Sequence, residues 1–233
     1  MLRRLAIVIL FSIAFAYVES AVVVYLRAIF HPNGFSFPLP VFELNPLWRR
    51  LILTEVGREA ATMVIIATGA WLFGRSAQER WAYGLAIFAV WDIFYYVWLK
   101  VLIHWPASLM DWDILFLIPA AWASPVLYPV LVSIAMLAAA GVILWRTKTN
   151  HAVRLGGCGW AALLTGCGII VVSFCVGGLH ATQPDYASYF WWPLFTVGYV
   201  LAIGAFGQAV WRDPSSHDMT DRMGGRCGDS RRG

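Results

Sequence analysis

Residues 81–103 read WAYGLAIFAVWDIFYYVWLKVLI, an apolar and aromatic run broken only by the ionisable groups Asp92 and Lys100. A helix rises about 1.5 Å per residue, so roughly 20 such residues cross a hydrocarbon core about 30 Å thick. The run therefore predicts a spanning helix. Five more stretches have the required length and character: Leu5 to Phe30, Leu51 to Phe73, Val126 to Trp145, Trp160 to Leu179 and Trp191 to Trp211. None shows the two-residue alternation of a membrane β-barrel.

The composition agrees with this reading. Of 233 residues, 60% are hydrophobic and only 13% charged, with a mean hydropathy of +0.68, which excludes a cytosolic globular enzyme. The 20 glycines and 11 prolines follow no period, so neither a fibre nor a repeat array is indicated. The net charge of +4 does not call for a nucleic-acid partner, because Lys and Arg sit at the ends of apolar segments, where membrane topology explains them.

With the N-terminus inside, twelve cationic residues fall on the inner side: Arg3, Arg4, Arg75, Arg80, Arg146, Lys148, Arg154, Arg212, Arg222, Arg226, Arg231 and Arg232. The outer loops hold only Arg49 and Arg50. This positive-inside bias predicts that both termini are cytoplasmic, and the compact chain fits a bacterial inner membrane. Arg3, Arg4 and the Ala14-Phe15-Ala16 triplet imitate a signal peptide, yet apolar character resumes through Ala21 to Phe30, so an uncleaved first helix is expected.

The stretch from Ile114 to Trp145 is too long for one span, and Pro119, Pro125 and Pro129 each lack a backbone donor. A short outer helix or re-entrant piece is expected before the fourth span. The predicted fold class is thus an all-α integral membrane protein of about six spans, N-in and C-in, with a Pro-interrupted outer segment before helix four. Residues 1–212 form one bundle in this reading, and residues 213–233 a disordered cytoplasmic tail.

Ionisable groups inside a bilayer are costly, so each needs a partner or a purpose. They are Glu19, Arg27, Glu55, Arg58, Glu59, Asp92 and Lys100, all at mid-membrane or in the outer half under this topology. Glu55, Arg58 and Glu59 share one helical face, with Thr62 a turn further in. Asp92, Tyr95, Tyr96 and Leu99 share a stripe of the third span, beside Trp91 and Trp98. Four intramembrane acids against three bases leave an unbalanced carboxyl, which desolvation favours in its neutral form. Arg58 bridging Glu55 and Glu59 would equally serve as a clamp between helices. Arg27 and Lys100 are expected to snorkel to the outer interface.

The candidate catalytic residues are therefore Glu55, Glu59 and Asp92. The candidate substrate-binding residues are Glu19, Arg58, Trp91, Tyr95, Tyr96 and Trp98, Arg58 being assigned to hold an anionic group and the tryptophans to line a pocket for a flat or isoprenoid-like ligand. No metal-binding spacing occurs, and His31, His104 and His180 are only weak candidates for a metal or haem. No cofactor is assigned. The cysteines form no Cys-x-x-Cys pair, so redox chemistry is not indicated. Cys158, Ala162 and Gly166 instead form a ridge of small residues for close helix packing, as do Gly198, Ala202, Gly204, Ala205 and Gly207 in the last span.

The outer loop from His31 to Trp48, rich in Pro and Phe, reads as a lid or an interfacial segment. Three functional classes stay open. One is a membrane enzyme doing acid-base chemistry on a lipid, quinone or isoprenoid-like substrate. The second is a proton- or ion-coupled carrier, and the third a non-catalytic subunit or scaffold of a membrane complex. The expected partners are membrane lipids, an apolar small molecule and, in the third reading, other membrane subunits.

Overall fold

The computed structural model describes residues 2–32, 34–40, 46–149 and 151–211. The tail expected from Asp213 onward, together with Phe42 and Glu43 of the outer loop, lies outside the described residues. The described residues are mostly helical, at 75%. In order it forms α1 (Leu2–Phe30), α2 (Pro46–Phe73), α3 (Ala77–Ile103), β1 (Trp112–Phe116), β2 (Trp122–Pro125), α4 (Leu127–Lys148), α5 (Gly157–Leu179), the single turn α6 (Tyr186–Tyr189) and α7 (Trp192–Trp211).

Among the described residues, five helical stretches are long and apolar enough to cross a membrane: α1, α3, α4, α5 and the segment Tyr186–Trp211. The remaining long helix, α2, has 28 residues but carries Arg49, Arg50, Glu55, Arg58 and Glu59 in its first half. It has the length of a span without the uniform hydropathy of one.

Helix α3 is the organising element, packing against α1, α2 and α4. Its start is fixed by local chemistry: the Ser76 side chain accepts the Glu79 amide at 3.2 Å, and the Glu79 carboxylate accepts the Arg75 amide at 2.8 Å. It ends at His104, whose left-handed backbone (φ 58°) lets its amide return to the Lys100 carbonyl. The core along this helix joins Val8 and Ala16 of α1, Ile66 of α2, Tyr83, Ile87 and Trp91 of α3, and Ile143 and Leu144 of α4.

A second unit pairs α5 with α7. A Cβ added at Gly166 would lie 2.7 Å from the Gly198 carbonyl oxygen and 2.8 Å from the Ala202 nitrogen, so the two helices touch backbone to backbone. The small-residue ridges expected from the sequence meet here. Tyr199 ties this pair to the rest by donating to the Leu131 carbonyl of α4 at 2.9 Å.

The mostly helical architecture agrees with the all-α expectation, and the Pro-interrupted segment adds a local exception to it. In place of the expected short helix it forms an antiparallel hairpin, pairing Trp112 with Pro125, Asp113 with Ser124, Ile114 with Ala123 and Phe116 with Trp122. Trp, Ile and Phe favour extended backbone, and Pro119 falls in the connection between the strands, where its missing donor costs no ladder bond. The hairpin seats on α5 because Gly177 and Gly178 present bare backbone to the Ala123 and Ala121 carbonyls. Its aromatic side chains complete a second core, in which Trp112 and Trp122 pack with Phe174, Phe190 and Phe195.

Candidate functional site

The hairpin, α1, α2, α3, α4 and α5 together enclose a cavity of about 750 Å³. The described part of the outer loop lies at one end of it. Phe35, Leu39 and Pro40 line that end, and the Leu39 amide is held by the Ala181 carbonyl at 2.8 Å. Phe37 anchors the same loop against Trp112 and Tyr186, with ring centroids 5.6 and 5.3 Å away.

The charged groups cluster on the side formed by α1, α2, α3 and the hairpin. Glu19, Glu55, Arg58, Glu59, Trp91, Asp92, Tyr95 and Tyr96, expected from the sequence to share a site, all line this one cavity. Tertiary packing supplies the reason, because α3 carries α1 and α2 on its flanks and turns their polar faces toward its own.

The pairing inside the cluster differs from the sequence expectation. Arg58 bridges Glu55 on its own helix and Glu19 on α1, rather than Glu55 and Glu59. Arg58 also lines the cavity, so its guanidinium joins the α1 and α2 carboxylates at the cavity wall. Thr62 adds a hydrogen bond to Glu19 at 3.3 Å. Glu59 is engaged elsewhere: both its oxygens accept the Leu117 amide, at 3.1 and 2.8 Å. That amide follows β1, so Glu59 pins the hairpin to α2.

Asp92 has a different environment. Its Oδ2 accepts the Ser133 hydroxyl of α4 at 2.8 Å, while among the described residues Oδ1 accepts no hydrogen bond. The side chain lines the cavity. It is the one cavity carboxylate with no ion pair and no backbone amide among the described residues.

Asp113 and Arg27 also line the cavity, although the sequence reading assigned neither to the site. Arg27 was expected to snorkel outward, yet it is buried and its Nη2 lies 2.9 Å from Asp113 Oδ1. Its guanidinium is also flanked by the Phe35 and Trp105 rings, 4.0 and 3.7 Å from their centroids. Tyr95 donates its hydroxyl to Asp113 Oδ2 at 3.3 Å. Burial pushes the Asp113 carboxyl above the usual carboxylate range, against the opposing pull of Arg27. Asp111, just before β1, accepts the Ala107 amide at 2.7 Å and caps the preceding turn, and only the fold separates it from the inward-facing Asp113.

Other expected members lie elsewhere. Trp98 points away from the cavity, donating its indole N–H to the Ile13 carbonyl at 3.0 Å and meeting Tyr17 edge to face. Lys100 donates to the His104 and Pro106 carbonyls at the end of α3. Of the three histidines, His31 lines the cavity, where burial and the nearby Arg27 lower its pKa. His104 closes α3, and His180 stacks on Tyr189 with Nδ1 on the Val176 carbonyl at 2.9 Å. Among the described residues no three His, Cys, Asp or Glu side chains gather as a metal-binding group.

Five long apolar helices make this a multi-pass membrane protein, and the cavity gives it a chemically distinct interior site. Comparison with known protein families, curated proteins and solved structures finds no match, so the functional reading rests on this geometry.

Proposed function

We propose that the protein binds an amphipathic, lipid-like or isoprenoid-like molecule in this cavity and performs acid-base chemistry on its polar end. The observation that carries the reading is one cavity with two kinds of wall: carboxylates and tyrosines on the α1, α2 and α3 side, and only apolar side chains from α5. Asp92 is the proton donor or acceptor, because its second oxygen is uncommitted while Ser133 holds the first. Glu55 and Glu59, considered alongside it from sequence, serve instead to fix Arg58 and the hairpin. Tyr95 and Tyr96 orient the ligand's polar end, and Trp91 packs against its body.

In this reading α2 joins the five apolar helices as a sixth span, its charged face turned to the cavity and away from lipid. The distribution of Lys and Arg supports an N-in, C-in bundle with the cavity toward the outer side. The test is mass spectrometry of the protein released from mild detergent, wild type against Asp92→Asn and Glu59→Gln. The expected result is a retained lipid-like mass in the wild type, lost or chemically altered in Asp92→Asn. A bare wild-type chain, or Asp92→Asn indistinguishable from wild type, removes the reading.

A further inference from the structure

Helix α2 packs on α3, while α5 packs on α7 and β2, and neither α2 nor α5 leans extensively on the other. Both nevertheless line the same cavity, α2 through Ile52 and Glu55 and α5 through Cys167, Ile170 and Val171. At this seam Ile52 is 43% exposed and Cys167 is exposed. Extensive packing of α2 on α5 therefore does not close the cavity on this side.

We infer that the cavity opens sideways through this seam into the bilayer, and that the opening takes the hydrocarbon chain of a membrane lipid whose polar end lies among the cavity carboxylates. This deepens the proposed function and rests on it. Two observations select the occupant. Cys167 stands near the middle of the 23-residue α5, about 15 Å from either end, a depth where a spanning helix meets acyl chains and not headgroups. The α5 contribution to the wall, Cys167, Ile170, Val171 and Phe174, contains no charge, whereas every charged lining group belongs to α1, α2, α3 or the hairpin. An amphipath is thus oriented in one sense, its head toward the charged walls of α1, α2 and α3 and its tail along the apolar wall of α5. Trapping a charged head against α5 would leave it without a partner in hydrocarbon.

The test uses the full chain in vesicles of phosphatidylethanolamine and phosphatidylglycerol doped with a phosphatidylcholine that carries a diazirine near the end of one chain. Photolysis and peptide mass spectrometry should place adducts on Ile170 and Phe174, which face the cavity, as well as on Leu164, which is 64% exposed. Cys167→Trp, which fills the seam, should remove the adducts at Ile170 and Phe174 and leave those at Leu164. Val171→Trp narrows the same seam from the next turn and serves if the first variant does not fold, with Leu164→Trp as the control. Adducts confined to Leu164 in the wild type, or adducts at Ile170 that persist in both rim variants, overturn the opening. If the protein still retains a lipid-like mass in those cases, only the lateral route fails; if it retains none, the pocket reading fails with it.

Discussion

Arg27 and Asp113 lie 86 residues apart in sequence and meet at 2.9 Å inside the protein, where they lock α1 to the hairpin. Neither is a surface ion pair, since Arg27 is 9% and Asp113 2% exposed. Removing one partner of such a pair strands the other charge, at a cost of about 3–5 kcal/mol. Arg27→Met should therefore lower the thermal midpoint in detergent sharply. The double variant Arg27→Met, Asp113→Leu should recover most of the loss, because both desolvation penalties disappear together. A double variant no better than the single one would mean that Arg27 acts mainly through its Phe35 and Trp105 contacts.

Ser133 and Asp92 invite a milder change. Ser133→Ala removes one hydrogen bond to the carboxylate and should cost about 1 kcal/mol, while leaving the cavity shape intact. Asp92→Asn retains a partner for the serine and should fold like wild type. A loss of ligand in Asp92→Asn with an unchanged unfolding midpoint separates chemistry from structure.

The backbone contact between α5 and α7 predicts intolerance to size. Gly166→Val or Gly198→Val must push the helices apart, and overpacking of this kind costs about 1–3 kcal/mol. Gly177→Val should act differently, displacing the hairpin whose Asp113 and Leu117 amide hold the site together. Unfolding midpoints should fall in all three, and only Gly177→Val should also weaken ligand retention.

His31 supplies a pH test. Burial and then Arg27 lower its pKa below the ordinary value of 6.5, so the folded protein prefers it neutral. As pH falls below that value, the unfolded chain takes up a proton that the folded chain resists, and stability drops with it. His31→Gln should flatten this part of the stability profile, read as unfolding midpoint against pH. An unchanged profile would assign the acid sensitivity to other groups.

Much of the scaffold was legible because membrane insertion imposes simple rules on sequence. Segments predicted from Trp81 to Ile103 and from Trp160 to Leu179 recur as α3 and α5 with a few residues added at their N-termini. Helical spacing likewise put Glu55, Arg58 and Glu59 on one face before any packing was known. The hairpin was missed because the prolines that exclude a regular helix are equally compatible with several irregular forms. Trp98 was misplaced because adjacent stripes of one helix differ by a rotation that only neighbouring helices reveal.

The sequence by itself determined that the chain has long apolar helices, which of them carry charge, and that the charge must be hidden, since hydrocarbon solvates neither ions nor free backbone. Tertiary structure alone decided who meets whom: Arg58 with Glu19, Glu59 with the Leu117 amide, Arg27 with Asp113, and Asp92 with the Ser133 hydroxyl. The division has a physical cause. Hydropathy and periodicity are local properties written along each helix, whereas pairing across a cavity depends on how helices far apart in sequence are rotated and set against one another.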